Sequence, residues 1–190
     1  MLIHHADDLL VPGGELLIEA MERCVSRGLV SKIGVSVYTA EQIDGVLRRF
    51  EPGIVQLPVS ILDQRLIHSG HLAELRRVGA EIHARSVFLQ GLLLMAPLSL
   101  PAYFEPIRVH LARYFDFLAA HGLTPLEAAI RFVSAMKEVD TMVVGVCSTG
   151  QLRAIGAVVQ KPGPALPDMR GFGLADPEFV NPSRWHASVN

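Results

Sequence analysis

The chain alternates between short apolar runs and longer amphipathic stretches. Residues 1–5 (MLIHH) read as a short strand. Over 14–28 the apolar positions Leu16, Leu17, Ala20, Met21, Cys24 and Val25 recur with helical spacing, and Gly28 closes the pattern as a residue just past the helix end. Residues 31–37 (SKIGVSV) predict a second strand. Thr39 followed by Gln42 is a capping-box pair opening a helix over 40–50. "EPG" then breaks the chain, 54–58 (IVQLP) predict a third strand, and 69–78 predict a helix ended by Gly79. Residues 80–87 (AEIHARSV) predict a fourth strand, and a loop rich in Leu and Pro leads into a helical region at 101–121. Thr124, Pro125 and Glu127 occupy the cap, first and third positions of a further helix. "DTMVVGV" predicts a fifth strand and "STGQLRAIGAVV" a last helix. From Lys161 on, Pro and Gly dominate and irregular chain is expected.

Composition narrows the class. The 190 residues suffice for a sizeable core, half of them are hydrophobic, and the mean hydropathy is +0.34. Such a chain suits strands buried on both faces, as in parallel α/β proteins. The net charge of −2 gives no general pull toward nucleic acid or an anionic membrane. No apolar run is long enough to span a bilayer, and "MLIHH" turns polar too soon for a signal peptide. Cys24 and Cys147 lie far apart and match no metal-ligand spacing, so reduced thiols in the cytoplasm are expected. No metal site is expected; His4, His5, Asp7 and Asp8 are the nearest approach to one, and His68 and His71 read as a solvated face.

Strands alternating with helices leave two architectures, a doubly wound open sheet and part of a (β/α)8 barrel. The first should show G-x-G-x-x-G after its opening strand, and no stretch does. Polar or small residues instead sit at the C-terminal end of nearly every strand: His4, Ser36, Gln56, Ser86 and Gly145. A barrel active site is assembled in this way, one residue per strand end. Singly, Ser36, Gln56 and Ser86 could equally satisfy backbone groups; together at strand ends they read as a site.

The order "LIHH…GLVSKIGVSVY…IVQLPVSILDQR…HARSVFLQGLLL…LTPLEAAIRFV…VVGVCSTGQL" resembles the aldo-keto reductase family over residues 1 to about 160. The resemblance implies an α/β fold, a partial (β/α)8 TIM barrel of five parallel strands, with residues 161–190 as a tail packed on it. It implies NADP or NAD as cofactor, a small-molecule carbonyl substrate and reduction by hydride transfer. "LIH" aligns with the end of the family's fourth strand, so His4 rather than His5 matches the active-site histidine. Successive strand residues face opposite sides, which sets His5 apart from the site. The family's catalytic Asp, Tyr and Lys precede that strand and have no counterparts here.

The cofactor half is better matched. Ser36 and Gln56 match residues that hydrogen-bond the nicotinamide carboxamide. Ser86 and Phe88 match the loop against the pyrophosphate; Gly145, Val146, Ser148 and Gln151 match the loop that holds the adenosine phosphate. Arg85 stands where the family places an aromatic residue against the nicotinamide, and Val37 where Asn is common. No basic residue matches the strongest 2′-phosphate contacts, so NADP and NAD are not distinguished. With the proton-donating Tyr missing, weak or no reductase activity is expected of the chain alone. A nucleotide-binding or interaction module that kept the cofactor half, and a fragment without function, stand as alternatives. Two open sheet edges, at 1–5 and about 141–146, make a homo-oligomer or a longer parent protein expected.

Overall fold

A computed structural model describes residues 1–161, 163 and 165–185. The chain divides into two compact units. The first comprises Met1–Pro58, Leu66–Arg85 and Lys137–Met142. It holds one sheet of five parallel strands in chain order: β1 (Leu2–Ile3), β2 (Gly34–Ser36), β3 (Ile54–Pro58), β4 (Glu81–Arg85) and β5 (Thr141–Met142). Helices α1 (Asp7–Leu10) and α2 (Gly14–Ser26) follow β1, α3 (Ala40–Leu47) follows β2, and α4 (Arg65–His68) and α5 (His71–Arg77) follow β3. Sequential parallel strands joined through helices are the βα units read from the sequence.

β3, up to Leu57, and β4 alternate in burial. Val55, Leu57, Ile82 and Ala84 are buried, while Ile54, Gln56, Glu81, His83 and Arg85 are half-buried on the opposite face. Register places Gly34 beside Ile54 and Ser36 beside Gln56, with Gln56 beside His83. A Cβ at position 34 would overlap the Ile54 carbonyl oxygen, so only glycine lets β2 and β3 close there. Lys32 and His83 both bond the Glu81 carboxylate.

The edge strands are shorter than the apolar runs suggest. β1 covers two residues and β5 two, because each has a neighbour on one side only and the unpaired ends leave the ladder. β5 is pinned instead by Asp140, whose carboxylate accepts from the Ile82 N–H at 2.8 Å and from Arg76 at 2.7 and 2.9 Å. α3 starts as expected, with Thr39 Oγ1 accepting from the Gln42 N–H at 3.2 Å. The returning Gln42 Oε1, however, accepts from Tyr38 N–H rather than from Thr39, at 2.7 Å.

The second unit comprises Val59–Arg65, Ser86–Met136 and Val143–Asn190. Its core gathers Leu89, Leu93, Phe104, Leu111, Tyr114 and Met169 around α6 (Arg108–Ala120). The predicted helix at 101–121 is in fact two pieces, since Pro106 lies inside a 3-10 turn over Ala102–Ile107 and α6 begins after it. α7 (Pro125–Ser134) carries the full Thr124/Glu127 capping box. α8 (Thr149–Gln160) buries none of its residues. The region after Lys161 is less irregular than its composition suggests: a turn over Arg170–Phe172, α9 (Pro177–Val180) and a turn over Pro182–Arg184 order it. Trp185 packs edge-on against Phe104 at 4.9 Å and donates to the Glu178 carbonyl.

Candidate functional site

Four of the residues singled out in the sequence belong to the sheet unit. Ser36 ends β2, Gln56 lies on β3 beside it, and their side chains share one face. Ser36 is 3 % exposed, and neither its hydroxyl nor the Gln56 carboxamide makes a hydrogen bond among the described residues. A hydroxyl and a neighbouring carboxamide on one sheet face are available to a ligand. The Gln56 backbone is committed: its carbonyl accepts from the Val37 N–H at 2.9 Å, which carries the ladder one residue beyond β2. Val37 itself is fully buried and offers no polar group in place of the family's Asn.

Arg85 ends β4. Its guanidinium lies 4.0 Å from the Tyr38 ring centre and donates to the Val37 carbonyl at 3.0 Å. The guanidinium thus makes a cation–π contact with an aromatic ring of the chain itself. Tyr38 was not singled out by sequence; nothing in the spacing of Tyr38 and Arg85 announces a contact between the ends of β2 and β4.

His4 and His5 depart from the strand-parity expectation. β1 ends at Ile3, so the alternation stops before either histidine. Both rings are exposed and meet edge to face at 4.7 Å rather than pointing to opposite sides.

The remaining residues belong to the second unit. Ser86 has φ +59°, and Leu89 and Gln90 have φ +47° and +53°. Three left-handed residues that are not glycine within five positions is a strained loop, at a cost on the order of 1 kcal/mol each. Phe88 is half-buried within it. Gly145 and Val146 are exposed, because the fifth strand stops at Met142. Ser148 caps α8, its Oγ accepting from the Gln151 N–H at 3.2 Å, while Gln151 Oε1 accepts from the Cys147 N–H at 2.7 Å. These contacts rigidify the loop and leave the first N–H groups of α8 without intrahelical acceptors, the arrangement that receives a phosphate. Among the described residues no helix is long and apolar enough to cross a membrane.

A parallel sheet in chain order with polar groups at the strand ends defines a barrel-type α/β scaffold. The model of the Aldo/keto reductase family matches residues 1–164, and the chain belongs to that family. An aldo-keto reductase from Bacillus halodurans in its apo form superposes with TM-score 0.71 at 21 % identity, over 90 % of this chain and 59 % of that one. Its holo form gives 0.67 at 21 % identity, over 90 % and 58 %. A thermostable aldo-keto reductase in complex with the inhibitor epalrestat gives 0.61 at 18 % identity, over 90 % and 58 %. The chain thus spans about three-fifths of the length of these structures, and at such identities the likeness is one of fold. No curated protein sequence matches the chain closely enough to count as a relative.

Proposed function

We propose that this chain holds a nicotinamide dinucleotide, NADP or NAD, for the reduction of a small-molecule carbonyl compound. The observation that carries the reading is the register of Ser36 beside Gln56, two polar side chains on one sheet face. When bound, the cofactor would supply a hydride to the carbonyl carbon. The Ser36 hydroxyl and the Gln56 amide would take the donor and acceptor of its carboxamide and so fix which ring face is presented. Arg85, held over the Tyr38 ring, would stand in for the family's aromatic residue. The strained loop with Ser86 and Phe88 would receive the pyrophosphate, and the backbone of Gly145 and Val146, with Ser148 and Gln151, the adenosine phosphate. A His4 imidazole N–H would donate to the carbonyl oxygen as negative charge develops on it.

Two free thiols, Cys24 half-buried and Cys147 exposed, fit a reducing compartment such as the cytoplasm. β1 and β5 each have one neighbour in the sheet, and a second copy of the chain would pair along those edges. The reading is tested by following aldehyde-dependent oxidation of NADPH and of NADH. Turnover lost in His4→Ala supports it; turnover unchanged in that variant removes His4 from the mechanism, and no turnover with either cofactor overturns the reductase reading.

A further inference from the structure

A second group of chemistry-bearing residues lies on the helical side of the sheet unit. Asp44 on α3, His71 at the start of α5 and Glu74 one turn later bring one donor atom each to within 4.8 Å of one another. Gly70, at φ +81°, makes the left-handed turn that starts α5 at His71. The sequence pairs His71 with His68, but α4 ends at His68 and a new helix begins, so the helical spacing between the two histidines is lost. The partner is instead Asp44, 27 residues earlier, with His71 Nε2 lying 3.2 Å from its Oδ1.

We propose that Asp44, His71 and Glu74 form a binding site for a divalent transition-metal ion of the zinc class. Two donors about 2.0–2.2 Å from one tetrahedral ion lie roughly 3.3–3.5 Å apart. The Nε2–Oδ1 separation of 3.2 Å is close to that span. His71 Nδ1 meets Ser69 Oγ at 2.8 Å, the kind of outer hydrogen bond that orients a ligating imidazole and leaves Nε2 for the metal. The His71 side chain is 13 % exposed and therefore held, while Asp44 is 48 % exposed and open to an arriving ion. Asp44 and Glu74 also line a cavity of about 370 Å³, together with Glu51, Arg48 and Arg77. The two guanidiniums there oppose the cation, so the three carboxylates must outweigh them. One imidazole among the donors favours zinc, nickel or copper over magnesium or calcium.

The experiment is a titration of zinc into the metal-free full chain, read by calorimetry and by competition with a chromophoric chelator. One equivalent should bind, and millimolar-range magnesium should not compete. His71→Ala should abolish that equivalent, Glu74→Gln should weaken it at least about tenfold, and Ser69→Ala should weaken it by about tenfold through the loosened ring. Cobalt loaded in place of zinc should give absorption bands of a low-coordinate site in the parent chain but not in His71→Ala. Circular dichroism confirms that each variant is folded, and His68→Ala should bind as the parent does. The proposal is overturned if the folded parent chain takes up no zinc, if His71→Ala and Glu74→Gln bind as tightly as the parent, or if His68→Ala removes the site.

Discussion

The Arg85 guanidinium lies over the Tyr38 ring at 4.0 Å and holds the Val37 carbonyl at 3.0 Å. One side chain thereby ties the C-terminal ends of β2 and β4 across β3, the strand that carries Gln56. A half-buried cation–π contact is worth about 1 kcal/mol. A double-mutant cycle of Arg85→Ala and Tyr38→Ala, measured by denaturant unfolding, should give a coupling of about 1 kcal/mol. Arg85→Lys should recover little of it, because an ammonium cannot keep the planar stack and the carbonyl contact together. A coupling near zero would mean that the contact contributes nothing to holding these strand ends.

Gly34 allows β2 and β3 to close beside Ser36 and Gln56. Any Cβ there meets the Ile54 carbonyl oxygen, a backbone atom that cannot swing aside. Gly34→Ala should therefore destabilise the chain by about 3 kcal/mol or more, well beyond the usual penalty for a small residue change. Amide exchange should show the loss concentrated at Val35, Val37 and Gln56. Wild-type stability in this variant would contradict the register.

Much of this architecture is legible in the sequence, and the losses have physical causes. Ile54–Pro58 is read residue for residue, because a continuous apolar run flanked by "EPG" has no competing pattern. The Thr124/Glu127 box is likewise local and is found intact. "DTMVVGV" fails over most of its length: only Thr141–Met142 are strand, since an apolar run becomes a strand only where a neighbour accepts its hydrogen bonds. Strand parity does not apply to His4 and His5 for a related reason, since β1 ends at Ile3 before either of them. At the site, Ser36, Gln56 and the Ser148 cap are visible as residue types at strand ends and a helix start. Tyr38 under Arg85 and Asp44 beside His71 are long-range contacts that no local spacing encodes.

The pH dependence of stability should have two separable limbs. Lys32, and then His83, hold the Glu81 carboxyl down at about 2 from its ordinary 4.5. That contribution is complete above the ordinary value and is lost as pH falls from it toward 2, so Glu81→Gln should flatten this part of the acid limb. Asp168 is held down to about 2 by Arg170 and acts on the same side. Burial raises the Tyr114 phenol above its ordinary 10.0, and its hydroxyl has no hydrogen-bond partner among the described residues. The fold favours the neutral phenol, so stability is kept below that value and lost as pH rises above it. Tyr114→Phe should remove this alkaline loss and, by deleting an unpaired buried hydroxyl, raise stability at neutral pH by about 1 kcal/mol. Unfolding midpoints across the pH range check both limbs.

The central claim is that the face carrying Ser36 and Gln56 holds a nicotinamide. Direct titration of the chain with NADPH and NADH, followed by cofactor fluorescence, tests it without requiring turnover. Saturable binding is expected with at least one of them, weakened about tenfold in Gln56→Ala, as loss of one hydrogen bond to a carboxamide would cause. No saturable binding of either cofactor, or binding indifferent to Gln56→Ala and to Ser36→Ala, would contradict the account.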